Sequence, residues 1–81
     1  MAYYATVKHY SVVGSWELLR AKTELGAKRE AWSKYGSGYI GHVVHVIEAA
    51  DFEDIHRQGN TGDWCREIGS GHGWYNNKGG N

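Results

Sequence analysis

The chain of 81 residues contains no proline, one methionine, one phenylalanine and one cysteine. Because Cys65 is alone, no intramolecular disulfide can form, which excludes a disulfide-stabilised scaffold and fits a reducing compartment. Basic and acidic side chains balance to a net charge of zero. That balance argues against a DNA mimic and against a strong general nucleic-acid binder.

Long hydrophobic runs are also missing. The longest apolar-rich run, Tyr39 to Ala50, is too short and too interrupted to span a bilayer. No basic stretch leads into an apolar run at the N-terminus, so a secretory signal is not expected. We therefore expect a cytoplasmic protein without a membrane partner.

Aromatic residues and glycine are abundant, with four Trp, six Tyr and twelve Gly. The aromatic rings supply much of the bulk that a small core needs. The charge is unevenly spread: residues 1–36 hold six basic and three acidic side chains, and residues 37–81 hold three basic and six acidic ones. This polarity is typical of a protein with two different surfaces.

Four strands, with a possible fifth, and one helix are predicted. Ala2 to Val13 is rich in aromatic and β-branched residues and pairs with Trp16 to Ala21 across a Gly14-Ser15 turn. Thr23 caps a helix that ends at Gly36, with Leu25, Ala27, Ala31, Trp32 and Tyr35 on its apolar face. Glu24–Lys28 and Glu30–Lys34 have the spacing of ion pairs within a helix.

The third strand, Tyr39 to Ala49, is apolar on both faces, as expected of a central strand. A strand around Phe52 to Arg57, a loop over Gly59 to Gly62 and a possible strand over Asp63 to Ile68 follow. The order β-β-α-β-β predicts a small two-layer α+β fold, with one helix on a mainly antiparallel sheet of four or five strands. We expect one domain over residues 1–75 and a flexible tail over residues 76–81.

One helix covers one face of a sheet, so the other face should stay open. Val43 and Ile47, or Val44 and Val46, would then be exposed. An open apolar face favours a homodimer or a partner protein. Alternatively, Trp64, Trp74 and Tyr75 fold back to cover it.

No catalytic or metal-binding motif is present. His42 and His45 fall on opposite faces of a strand, and His56, Cys65 and His72 match no zinc spacing. Cys65 has no local motif of a nucleophile, so we interpret it as a small strand residue. We expect no enzyme activity, no metal and no cofactor.

The residues AKTELGAKREAWSKYG followed by YIGHVVHVIEA resemble a pattern in small phage proteins, including some type I anti-CRISPR proteins. These proteins place a strand, a short Ala-Lys-rich helix and a Val/Ile strand ending in Glu before a Trp-containing hairpin. The resemblance covers residues 16–75 and implies a phage-encoded inhibitor in the cytoplasm of an infected bacterium. Its partner would be a host defence protein, such as a Cas effector subunit.

Three functional hypotheses follow. The first is a non-enzymatic inhibitor that occludes a host protein, with aromatic and basic hot spots at Tyr4, Tyr10, Trp16, Lys28, Arg29 and Trp74. The second is a protein that sequesters a nucleotide signal, with a lining of Arg66, His72, Trp74 and Tyr75. The third is nucleic-acid binding by the basic helix residues Arg20, Lys22, Lys28, Arg29 and Lys34, near Trp32 and Tyr35, which the neutral chain makes the least favoured.

Overall fold

The structure is a computed structural model that describes residues 1–10, 12–58, 64–70 and 73–76. Within these ranges, six strands and two helices follow in the order β1 (Ala2–His9), β2 (Val12–Val13), β3 (Glu17–Leu18), α1 (Glu24–Tyr35), β4 (Val43–Ala49), α2 (Phe52–Arg57), β5 (Trp64–Glu67) and β6 (Tyr75–Asn76). The predicted α+β class is confirmed. Neither helix in these ranges combines the length and the apolar character needed to cross a membrane.

The sheet has the order β2-β1-β4-β5-β6, and every pair is antiparallel. β1 and β4 form its centre, with Tyr4 opposite Ile47 and Val7 opposite Val44. The other edge of β1 holds β2 near Lys8 and β3 near Tyr4.

The first hairpin differs from the prediction. The chain turns at Tyr10, which has a φ of 56°, and not at Gly14-Ser15. The expected second strand from Trp16 to Ala21 is reduced to two residues. Between β2 and β3 the chain leaves the sheet edge, and Thr6 donates a hydrogen bond to the Ser15 carbonyl at 2.9 Å. This detour brings Trp16 over the sheet.

Helix α1 has the predicted bounds. The Thr23 hydroxyl accepts a hydrogen bond from the Gly26 N–H at 3.1 Å, and Gly36 caps the other end. Ala27 and Ala31 are fully buried, so the helix lies close to the sheet. The prediction that Leu25 belongs to the buried face was wrong, since its side chain is 59% exposed.

Helix α2 replaces the strand predicted around Phe52 to Arg57. Asp51 caps it by accepting from the Asp54 N–H at 2.8 Å, and the Asp54 carboxylate accepts from the Ala50 N–H at 2.9 Å. This reciprocal arrangement resembles a capping box. Ile55 is fully buried against the sheet.

The core therefore has two parts, one on each face of the sheet. Between α1 and the sheet lie Ala5, Leu19, Ala27, Ala31, Val44, Val46 and Ile68. On the other face lie Tyr4, Ile47, Ala49 and Ile55, with Trp16 packed against them. The expectation of an open second face is corrected: α2 and Trp16 cover its apolar residues.

The C-terminal aromatics divide between strands and core. Trp64 and Trp74 pack on the α1 side, so they do not cover the second face as the alternative prediction had it. The predicted strand near Cys65 is confirmed as β5, and Tyr75–Asn76 adds β6. Asn76, predicted to begin the tail, pairs with Trp64. Residues 77–81 and the predicted loop over Gly59 to Gly62 lie outside the described residues.

Candidate binding surface

Large apolar side chains are exposed together at one end of the sheet. Tyr10 is 86% exposed, Val12 69%, Tyr39 80% and Ile40 85%. They come from the β1–β2 turn, from the first residue of β2 and from the α1–β4 connection. We call these four residues, together with His9 and His42 between them, the aromatic end.

A continuous row of rings joins the two segments. The His9 ring stacks on Tyr10 with the centroids 4.4 Å apart, and it lies 4.2 Å from the His42 ring. Tyr39 contacts His42 edge-on at 5.5 Å. Because β1 and β4 are paired, their ends bring together rings that are 33 positions apart in the sequence.

A cleft of about 470 Å³ opens beside this row. Its walls come from both segments of the aromatic end, from the last turn of α1 and from Ile68. Such a volume lies within the range of pockets that take a small ligand or a partner's anchor side chain.

Polar contacts fix one wall of the cleft. The Glu17 carboxylate accepts hydrogen bonds from both the Lys34 ammonium and the Tyr35 hydroxyl. The hydrogen bond from Lys34, and then that from Tyr35, lowers the pKa of Glu17. Burial, and next the hydrogen bond to Glu17, raises the pKa of Tyr35 to about 12. Tyr35 is therefore a neutral donor at neutral pH.

The position of Tyr39 and Ile40 depends on a tight turn. The strand expected from Tyr39 begins only at Val43, because the His42 N–H bonds to the Tyr39 carbonyl at 3.1 Å. Gly41 occupies the left-handed region with a φ of 91°, and its N–H bonds to the Ile68 carbonyl at 3.1 Å. The turn directs both side chains to the surface, where the prediction had them in the strand.

The predicted hot-spot residues are scattered over the molecule. Tyr10 lies at the aromatic end, whereas Tyr4 is only 5% exposed and packs in the core. Trp16 packs in the same cluster as Tyr4, on the sheet face opposite α1, and lies edge-on to His45 with ring centroids 6.4 Å apart. Trp74 packs edge-on against Trp32. The structure therefore brings Tyr4 and Trp16 together in the core, but it does not gather the predicted hot-spot residues on one surface.

The basic face of α1 is partly neutralised. The Lys28 ammonium lies 3.5 Å from the centroid of the Trp64 ring and 3.1 Å from a Glu24 carboxylate oxygen. Lys34 is paired with Glu17 and not with Glu30 as predicted. Arg29 is exposed.

The nucleotide lining predicted near the C-terminus is divided. The Arg66 guanidinium stacks over Trp32 at 4.1 Å. Trp74 and Tyr75 line a separate concavity together with Glu67, whose carboxylate opposes a phosphate. His72 lies outside the described residues.

Cys65 contacts His45, whereas the sequence analysis considered it together with His56 and His72. Its Sγ lies 3.2 Å from Nδ1 of His45, because the two residues are direct partners in the β4–β5 register. The Nε2 atom of His45 is buried and has no hydrogen-bond partner among the described residues. Burial, and secondly the charge of Lys8, lowers the pKa of His45 to about 4. In the described ranges, no three His, Cys, Asp or Glu side chains are arranged to hold a metal ion.

Comparison with known proteins gives no relative: no family model, no curated protein and no solved structure matches the chain.

Proposed function

We propose that this protein is a non-enzymatic binding module that docks through its aromatic end and occludes a surface of a larger protein. The observation that carries the proposal is the gathering of four large apolar side chains, each at least 69% exposed, beside one cleft. Scattered exposed apolar residues are normal, but a contiguous group marks an interaction site.

The partner that fits this surface is an apolar protein patch with a protruding side chain. Tyr10 and Tyr39 offer large rings with few rotatable bonds, the residue type that dominates interface energetics. The cleft receives the partner's anchor residue, and His9 and His42 supply polar groups beside it. Both α1 and the sheet support the surface, so little ordering is needed on binding.

The resemblance to small type I anti-CRISPR proteins supports a host defence protein as the partner. A Cas effector subunit in the cytoplasm of an infected bacterium is therefore the first candidate. The alternative role as a nucleic-acid binder has less support, because Lys28 and Lys34 are already paired with carboxylates.

The test compares two surface variants. Tyr39→Ser with Ile40→Ser removes the exposed apolar groups, and Leu25→Ser is the matched control at an exposed position on α1. Binding to purified Cas effector complexes, measured by interferometry, should be lost in the double variant and kept in the control. Equal binding by both variants contradicts the aromatic end as the docking surface. No binding by the wild type to any effector removes the proposed partner.

A small-ligand function is the second candidate, favoured by the size of the cleft beside stacked rings. Calorimetry against cyclic and linear nucleotides tests it. Saturable heat that the Tyr39→Ser variant abolishes supports this function, and no heat with any nucleotide removes it.

The homodimer stays a prediction. Since α2 and Trp16 cover the second face, a dimer would form through the aromatic end. Light scattering should then show the Tyr39→Ser, Ile40→Ser variant at the monomer mass of 9.1 kDa. A dimer that survives in this variant uses another surface.

A further inference from the structure

A concavity of about 450 Å³ lies at the C-terminal hairpin, where β6 begins. Its lining is formed by Glu67, Gly73, Trp74 and Tyr75. A Cβ at Gly73 would meet no atom of the described residues within 4 Å, so the backbone borders open space there. None of these four residues belongs to the aromatic end or lines the cleft beside it.

The strand register places Glu67 and Tyr75 close together. Tyr75 pairs with Cys65 between β5 and β6, and Glu67 follows two residues after Cys65, on the same face of the sheet. Such diagonal neighbours lie about 7–8 Å apart, within reach of an aromatic and a long side chain. Burial, then the charge of Cys65 and then that of Glu67, raises the pKa of Tyr75, which agrees with this placement.

The carboxylate of Glu67 brings an uncompensated negative charge to the concavity. Its side chain is exposed, and no described residue forms an ion pair with it. The neighbouring Arg66 lies on the other face, where its guanidinium stacks over Trp32. Lys8 shares the face of Glu67 but lies two strands away, with Val43 between them. The concavity therefore favours a cation.

Two aromatic side chains line the same concavity. Tyr75 is 44% exposed. Trp74 is half-buried, and its edge-on contact with Trp32, with centroids 6.1 Å apart, holds it in place. The faces of aromatic rings attract cations, and a guanidinium group pairs with a carboxylate through two parallel hydrogen bonds. Because the guanidinium group is planar, it can form both kinds of contact, which an ammonium group does less well.

We propose that this concavity binds a guanidinium group, such as that of arginine. Glu67 pairs with the charge, and the rings of Tyr75 and Trp74 contact the planar group. The sequence analysis had assigned these two rings to a nucleotide, whose phosphate Glu67 would repel. The proposal does not rest on docking through the aromatic end, because the two surfaces share no lining residue.

The test is an NMR titration of the purified chain at neutral pH and constant ionic strength, followed at the Trp74 and Tyr75 resonances. The probes are N-acetyl-L-arginine amide, free L-arginine and the neutral isostere N-acetyl-L-citrulline amide. We expect saturable shifts with an arginine probe and none with the citrulline probe. Tighter binding of the blocked arginine identifies a protein side chain as the ligand, and tighter binding of free arginine identifies the amino acid itself.

Matched variants separate a site from general charge effects. Glu67→Gln removes the charge at nearly constant shape and should weaken arginine binding about fivefold. Glu53→Gln removes a carboxylate that is 88% exposed on α2 and should leave the affinity unchanged. Tyr75→Phe keeps the ring and should bind like the wild type, whereas Tyr75→Leu should bind more weakly. Shifts that do not saturate, equal binding of the citrulline probe, or equal affinity in the Glu67→Gln variant would each overturn the proposal.

Discussion

The carboxylate of Glu30 accepts hydrogen bonds from the backbone N–H groups of Arg20 and Ala21, each at 2.9 Å. The two N–H groups belong to the segment between β3 and α1, so one side chain joins the middle of the helix to the chain that leads into it. This contact uses the carboxylate that the sequence had assigned to an ion pair with Lys34.

Removal of this carboxylate should destabilise the fold. Glu30→Ala leaves the two N–H groups without their acceptor, and we expect the free energy of unfolding to fall by about 2 kcal/mol. Glu53→Ala is the control, because the Glu53 side chain is 88% exposed and its pair with Arg57 is 4.0 Å long. That change should stay within about 0.5 kcal/mol. Urea unfolding followed by circular dichroism measures both, and equal effects would show that the contact to Arg20 and Ala21 contributes nothing.

The sequence predicted α1 well because its signals are local. Thr23 and Gly36 mark its ends, and the small Ala27 and Ala31 mark its buried face. Helix α2 was missed because its six residues are too few to show a helical period. The cap formed by Asp51 and Asp54 was the available signal.

The candidate site could not be predicted because it depends on strand register. His9 and His42 meet only when β1 and β4 pair in the observed alignment, and Cys65 reaches His45 only through the β4–β5 register. The apolar run that contains Tyr39 and Ile40 predicted a strand for both residues. The left-handed Gly41 that turns them outward is a backbone feature that the sequence pattern did not reveal.

Two left-handed glycines offer a matched pair of substitutions near this turn. Gly69 has a φ of 85°, and a Cβ there would lie 3.0 Å from a side-chain carbon of Ile40. Gly41 has a φ of 91°, and a Cβ there would meet no atom of the described residues within 4 Å. Gly41→Ala should therefore cost about 1 kcal/mol from backbone strain alone, and Gly69→Ala about 2 kcal/mol, because Ile40 must also move. Thermal unfolding ranks the two variants. A larger loss of stability in Gly41→Ala than in Gly69→Ala would contradict the close packing of Ile40 against Gly69.

Helix α2 should contribute strongly to stability despite its length. Ile55 is fully buried in the second core cluster, so Ile55→Ala should lower the free energy of unfolding by about 2–4 kcal/mol. Phe52 is 52% exposed and contacts Tyr4 with ring centroids 4.9 Å apart, so Phe52→Ala should cost less. Denaturant titration distinguishes them. A negligible effect at Ile55 would mean that α2 does not cover the sheet in solution, and the second face would again be open.

Stability should also depend on pH through His45. Burial, and to a smaller extent Lys8, lowers its pKa to about 4 in the folded chain, against 6.5 for an ordinary histidine. Between these values the unfolded chain binds a proton that the folded chain does not. The contribution of His45 to the free energy of unfolding is therefore fully present above about pH 6.5. It is lost as the pH falls towards 4, by at most about 3 kcal/mol.

Urea titrations between about pH 7.5 and pH 5 measure this loss, because that window lies above the region where carboxylates titrate. The pKa values of Glu17 and Asp54 are lowered by their hydrogen bonds, so their contributions are lost only at more acidic pH. His45→Gln should flatten the dependence in the window, whatever its effect on absolute stability. Lys8→Met should reduce the slope partially, since it removes the smaller of the two causes. If the His45→Gln variant keeps the full dependence of stability on pH, another group takes up the proton on unfolding. His45 is then not held neutral by its burial.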